Sequence, residues 1–157
     1  MLTNFNNDAT GVEDLSIAVL GLGHVGLPTA LGLAELGWSV TGSDNDPIKV
    51  RNISLGTPPF FDPGIRECLQ KHLDMGTFSV DPSVPSTIQS ANVIFVCVNT
   101  PQNKDGSANL THLEEVAIAI ASNHNEYKLV VEKSTTPVQT AHGIKNSISQ
   151  HILRNPS

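Results

Sequence analysis

Ser16-Ile-Ala-Val-Leu-Gly-Leu-Gly-His-Val-Gly-Leu-Pro-Thr-Ala-Leu-Gly-Leu-Ala-Glu-Leu-Gly37 decides the fold. Its apolar run, Ile17 to Leu20, has strand length. Gly21, Gly23 and Gly26 follow in the spacing G-x-G-x-x-G, and a helical stretch of small and apolar residues comes next. In a strand-turn-helix unit the first glycine permits the tight turn. The second lets backbone approach a pyrophosphate, and the third lets the helix lie close on the sheet. The pyrophosphate would rest on free N–H groups at the helix N-terminus, where the macrodipole favours negative charge.

Outward from this stretch, a second short strand, Ser39 to Gly42, ends at Asp44, 18 residues after Gly26. That is close to the spacing of the acid that binds the adenosine ribose. A carboxylate there accepts from the 2′-OH and repels a 2′-phosphate, which favours NAD over NADP. Asp44 could instead cap the next helix. Asp46-Pro47 already reads as an N-cap followed by proline at the first helical position, leaving Asp44 for the ligand.

Further along, helices are expected at about His24–Leu36, Pro47–Leu55, Gly64–Leu73, Ser83–Ser90, Leu110–Ser122 and Val138–Leu153. Strands are expected at Thr77–Val80, Ala91–Val98 and Lys128–Val131. The continuous apolarity of Ala91–Val98 implies burial on both faces, as in the centre of a parallel sheet. Strands alternating with helices imply right-handed βαβ crossovers. The expected fold is α/β, a Rossmann-type doubly wound parallel sheet of order 3-2-1-4-5 in three αβα layers. With five strands it stops before the sixth strand of the full unit. Ligands of such sheets bind beyond the carboxyl ends of the strands, which makes Asn99, Thr100 and Thr135 candidates for cofactor contact. Asn99 and Thr100 also fit a simple polar turn. In the loop Thr57-Pro58-Pro59-Phe60-Phe61-Asp62-Pro63-Gly64, the two phenylalanines need cover, either from the domain beneath or from a nearby ligand.

The whole chain has 157 residues and a formal net charge of −6, so one domain is expected, residues 15–157. Residues 1–14 are polar, lack a signal-peptide core and read as a disordered leader. No basic cluster points to nucleic acid or an anionic membrane, and no apolar run reaches membrane-spanning length. Cytoplasm is the expected compartment. Cys68 and Cys97 read as unpaired thiols, Cys97 as a small core hydrophobe. No metal-ligand spacing is read among six His and two Cys, and no metal is expected. His72, His112, His124, His142 and His151 read as solvated residues on helices or their ends.

Five segments together carry a resemblance: Gly21-Leu22-Gly23-His24-Val25-Gly26, Asp44, Pro59-Phe-Phe-Asp-Pro-Gly64, Val98-Asn-Thr-Pro101 and Glu132-Lys-Ser-Thr-Thr-Pro-Val138. In order and spacing they resemble the N-terminal NAD-binding domain of the nucleotide-sugar dehydrogenases, and UDP-glucose 6-dehydrogenases most. The resemblance covers Ser16 to the chain end. It implies oxidation of a sugar C6 alcohol to a carboxylate with two NAD, through a cysteine thiohemiacetal and thioester. It places the pyrophosphate on Gly21 to Gly26, the adenosine ribose on Asp44 and a basic residue, Lys49, near the adenosine. Thr100 and Thr135 fall on the nicotinamide side, with Thr135 aligned with a threonine implicated in catalysis.

Two departures are local: His24 stands where the family has Tyr, and Asp62 where it has Glu. Others are larger. The family's Gly-Gly-x-Cys-x-x-Lys-Asp and Asn-Pro-Glu-Phe segments are not found, nor its substrate lysine and asparagine. The resemblance therefore implies a truncated dehydrogenase that binds NAD(H) without turnover and meets a UDP-sugar only when the other half is supplied. Homo- or hetero-oligomers remain open. The alternative is a non-catalytic dinucleotide-binding or regulatory module that partners a longer paralogue. A hydroxyacid dehydrogenase would share the glycines but not Val-Asn-Thr-Pro or Lys-Ser-Thr.

Overall fold

The structure, a computed structural model, describes residues 15–134 together with Asn146, Ile148 and Ser149. The expected leader, Thr135 and nearly all of the expected last helix, with His142 and His151, lie outside the described residues.

The elements alternate as β1 (Ser16–Leu20), α1 (Gly26–Glu35), β2 (Ser39–Ser43), α2 (Pro47–Ser54), α3 (Ile65–Met75), β3 (Phe78–Val80), α4 (Val84–Ser90), β4 (Val93–Val96), α5 (Thr111–Asn123) and β5 (Leu129–Glu132). The five strands form one parallel sheet in the order β3-β2-β1-β4-β5, the doubly wound order expected. Two clusters of buried side chains cover its faces. One gathers Val19, Leu27, Leu31, Val40, Leu69 and Phe78 beneath α1 and α3. The other gathers Leu20, Ile88, Ile94, Val96, Leu113 and Ile120 beneath α4 and α5, with Ile148 packed against it. No helix among the described residues is long and apolar enough to cross a membrane.

The strand buried on both faces is β1, from Ile17 to Leu20, rather than β4. β1 lies at the centre of the order, whereas β4 buries only Ile94 and Val96. Val93 and Phe95 on its other face are half-buried, with Phe95 lining an open groove along α1 beside Leu33 and Leu36. β4 is also shorter than its apolar run. Cys97 N–H still donates to Leu20 O at 2.8 Å, but β1 ends there and the ladder ends with it.

Local chemistry sets the helix starts. Asp46 caps α2, accepting from Ile48 N–H at 2.9 Å and Lys49 N–H at 3.2 Å, with Pro47 behind it as expected. Ser83 caps α4 in the same way. No side chain caps α1.

Candidate dinucleotide site

β1, β2 and β4 converge at their carboxyl ends on a cavity of about 330 Å³. Its floor is the glycine turn. Gly21 adopts φ of 92°, and a Cβ there would stand 2.7 Å from the Cys97 carbonyl oxygen. A Cβ at Gly26 would run into the Gly21 carbonyl oxygen. Both positions therefore exclude a side chain for reasons internal to the fold. At Gly23, which lines the cavity, nothing of the protein lies within 4 Å of such a Cβ. The space beside Gly23 is thus left open by the chain, as a cradle for an approaching phosphate requires.

Two bonds lace this turn to β2. Gly21 N–H donates to Ser43 O at 2.8 Å, and Leu22 N–H donates to Asp44 Oδ2 at 2.7 Å. Asp44 is 8% exposed and lines the cavity. Its Oδ2 also accepts from Lys49 Nζ at 2.8 Å, and its Oδ1 from Asp46 N–H at 3.0 Å. Asp46 does take the capping role and spares Asp44 from it, but the protein already engages both Asp44 oxygens. Two carboxylate oxygens offer about four acceptor positions, so capacity remains for a ligand hydroxyl. Leu22 is fully buried. Its methyls lie over Gly42, where a Cβ would stand 2.8 Å from Leu22 Cδ2.

The remaining expected residues divide. Lys49 and Asn99 line the cavity; Thr100, one residue on, does not. His24 and Val25 point away, into the groove along α1. The His24 ring stacks on Phe60 with centroids 4.2 Å apart, which clamps the 57–64 loop onto the glycine turn. Phe60 thus finds cover on the domain, while Phe61 is 93% exposed.

Val84, at the start of α4, and His112, Glu115, Val116 and Ala119 of α5 complete the cavity without belonging to any motif. The four α5 residues fall at i, i+3, i+4 and i+7, one face of a helix whose other face, Leu113, Ala117 and Ile120, enters the core. Val84, Val116 and Ala119 give the slot apolar walls suited to a flat base. His112 and Glu115 are exposed at its rim.

Cys97 also borders the cavity, but burial pushes its thiol up to about 11, so it is protonated and inert near neutrality. His72 is the histidine furthest from expectation. It is 1% exposed, far from solvated, because it sits on the apolar face of α3 at i+7 from Ile65 and i+3 from Leu69. There it hydrogen-bonds Thr77 and Glu35.

The model of the UDP-glucose/GDP-mannose dehydrogenase family NAD binding domain matches residues 15–155. The chain belongs to that family. It is 37% identical over 138 residues to the UDP-glucose 6-dehydrogenase YwqF of Bacillus subtilis, a match covering 88% of this chain and 31% of the relative. The UDP-glucose 6-dehydrogenase of Pseudomonas aeruginosa is 34% identical over 140 residues, covering 89% of this chain and 31% of the relative. Among solved structures, a UDP-glucose dehydrogenase from Pyrobaculum islandicum superposes with a TM-score of 0.82 at 34% identity, covering 87% of this chain and 33% of that one. The chain thus spans about a third of the length of these family members, the third that binds NAD.

Proposed function

We propose that this chain is the cofactor-binding part of a nucleotide-sugar 6-dehydrogenase, with UDP-glucose the favoured substrate, and that by itself it binds NAD without turnover. The observation that carries the reading is the buried Asp44 carboxylate at the end of β2, fastened to the glycine turn through Leu22 N–H beside the open space at Gly23. On this reading the backbone from Gly21 to Gly26 holds the pyrophosphate, and Asp44 takes the ribose hydroxyls. The slot between Val84 and Val116 takes the adenine. Asn99 contacts the cofactor from within the cavity, while Thr100 and Thr135 face the nicotinamide, with Thr135 an auxiliary group in catalysis.

NAD supplies the hydride acceptor; this chain supplies orientation and exclusion of water. The sugar site and the nucleophilic cysteine belong to the rest of the enzyme, in the same chain or in an oligomeric partner, identical or not. Cys97 cannot take the nucleophile's place, because its thiol holds its proton. Two free cysteines, Cys68 and Cys97, support a reducing, cytoplasmic setting.

Calorimetric titration with NADH tests the reading. Trp38 stands just before β2, about 20 Å from Asp44 at 3.3 Å per residue, so heat is a more direct readout than its fluorescence. One saturable site is expected, with NADPH weaker. Asp44→Ala weakens NADH at least tenfold and frees Lys49, which raises the relative affinity for NADPH. Absence of binding by the folded chain, or an unchanged NADH affinity in Asp44→Ala, overturns the reading of the site. Sustained NADH production from UDP-glucose by the purified chain overturns the division of labour.

A further inference from the structure

The cofactor cavity lies at the carboxyl edge of the sheet. At the opposite edge α1 ends at Glu35, and α3 descends beside it toward β3. Cys68 and His72 stand at i and i+4 on α3, one turn apart on the same face. The Cys68 thiol, a His72 ring nitrogen and a Glu35 carboxylate oxygen all lie within 4.8 Å of one another. The geometry points to a binding site for one divalent transition metal of the zinc class, held by Glu35, Cys68 and His72.

Chemistry and surroundings support the assignment. Thiolate, imidazole and carboxylate together suit zinc, while magnesium and calcium prefer oxygen-only shells. Two anionic ligands and a neutral imidazole neutralise a dication. His72 is held as a metal-binding histidine is held: the ring is buried, and its Nδ1 lies 2.8 Å from Thr77 Oγ1. That partner fixes the ring plane and aims Nε2 at Glu35 Oε2, 2.7 Å away. Lys71 Nζ contacts both Glu35 oxygens at 2.7 Å, so it can keep Oε1 while Oε2 turns to the metal. Glu35 and Lys71 are about half exposed, which leaves an entry path and room for water as the fourth ligand.

Tetrahedral zinc with bonds of about 2.0–2.3 Å sets its ligand atoms about 3–4 Å apart. The close Nε2–Oε2 contact opens slightly and the longer separations close, movements within reach of the Glu35 and Cys68 side chains. Protons balance. Cys68 S–H gives its proton to solvent as the S–metal bond forms. A proton on Nε2 moves to Nδ1, where Thr77 Oγ1 accepts it. Binding therefore releases protons and tightens as pH rises.

Cobalt(II) titration of the chelator-stripped chain tests the site, because thiolate ligation produces a near-ultraviolet charge-transfer band and tetrahedral geometry an intense visible one. One equivalent is expected to saturate both bands, and zinc is expected to abolish them. Cys68→Ser should remove the ultraviolet band and weaken cobalt at least tenfold. Thr77→Val should keep the bands and weaken cobalt about 10–100-fold. NADH affinity, read on the same samples, should not change in either variant, which also shows that each is folded. No band in tenfold excess cobalt, or equal affinity in Cys68→Ser, would mean that Glu35 and His72 simply tie α1 to α3 by hydrogen bonds.

Discussion

The three glycines of the turn serve two different purposes, and substitution separates them. Gly21 and Gly26 are required by the fold: one needs positive φ, and the other presses on the first glycine's carbonyl. Gly26→Ala should push α1 off the turn and cost about 3 kcal/mol, the upper end for overpacking because the clash is with backbone, read as a large fall in the denaturation midpoint. Gly23 has neither restriction. Gly23→Ala should leave stability within about 0.5 kcal/mol while lowering NADH affinity sharply in calorimetry. A loss of stability like that of Gly26→Ala would show Gly23 to be structural too. The spacing G-x-G-x-x-G is visible in sequence; the difference among its members is not. It depends on Cys97, 76 residues after Gly21, whose carbonyl closes the space beside the first glycine.

At the scale of elements, β1 and β4 are legible as apolar runs closed by Gly21 and by Asn99-Thr100-Pro101, and the strand order follows from the doubly wound topology of alternating strands and helices. Helix faces are less legible. α5 presents apolar residues to both the core and the cavity, so periodicity marks an amphipathic helix without separating Val116 and Ala119 from Leu113 and Ile120. The sequence suggests a solvated His72 because a polar residue within a helix usually faces water; its i+7 spacing from Ile65 is the signal that places it on the buried face. The cap at Asp46 is readable from Asp46-Pro47, but the bonds of Asp44 to Leu22 and Lys49 depend on the folded turn. That division carries a prediction for α2. Asp46→Ala removes the acceptor for two first-turn N–H groups and should cost about 1 kcal/mol of stability in chemical denaturation. NADH affinity should hardly move, because Asp46 does not line the cavity. A tenfold fall in affinity would make the cap part of the site.

At the scale of the whole molecule, two hydrophobic layers meet on β1, and Cys97 sits where that packing reaches the cavity. Its thiol keeps a proton in the folded state up to about 11, against an ordinary value of 9.0. The unfolded chain loses that proton first. The stabilisation is therefore complete below about pH 9 and is lost as pH rises toward 11, by an amount on the order of 2–3 kcal/mol. Thermal melts across this range should fall more steeply for the parent chain than for Cys97→Ala. Parallel slopes would assign the alkaline loss to other groups.

The methyls of Leu22 occupy the space that a side chain at Gly42 would need. The middle residue of the glycine turn thus serves as the absent side chain of the neighbouring strand, and one fixed volume is shared by two positions 20 apart in the sequence. The Phe78 ring, with Cε2 3.1 Å from where a Cβ at Gly42 would stand, bounds that volume from β3. A methyl gained at 42 must be given up at 22, so an engineered library that varies them separately would discard pairs that fit together.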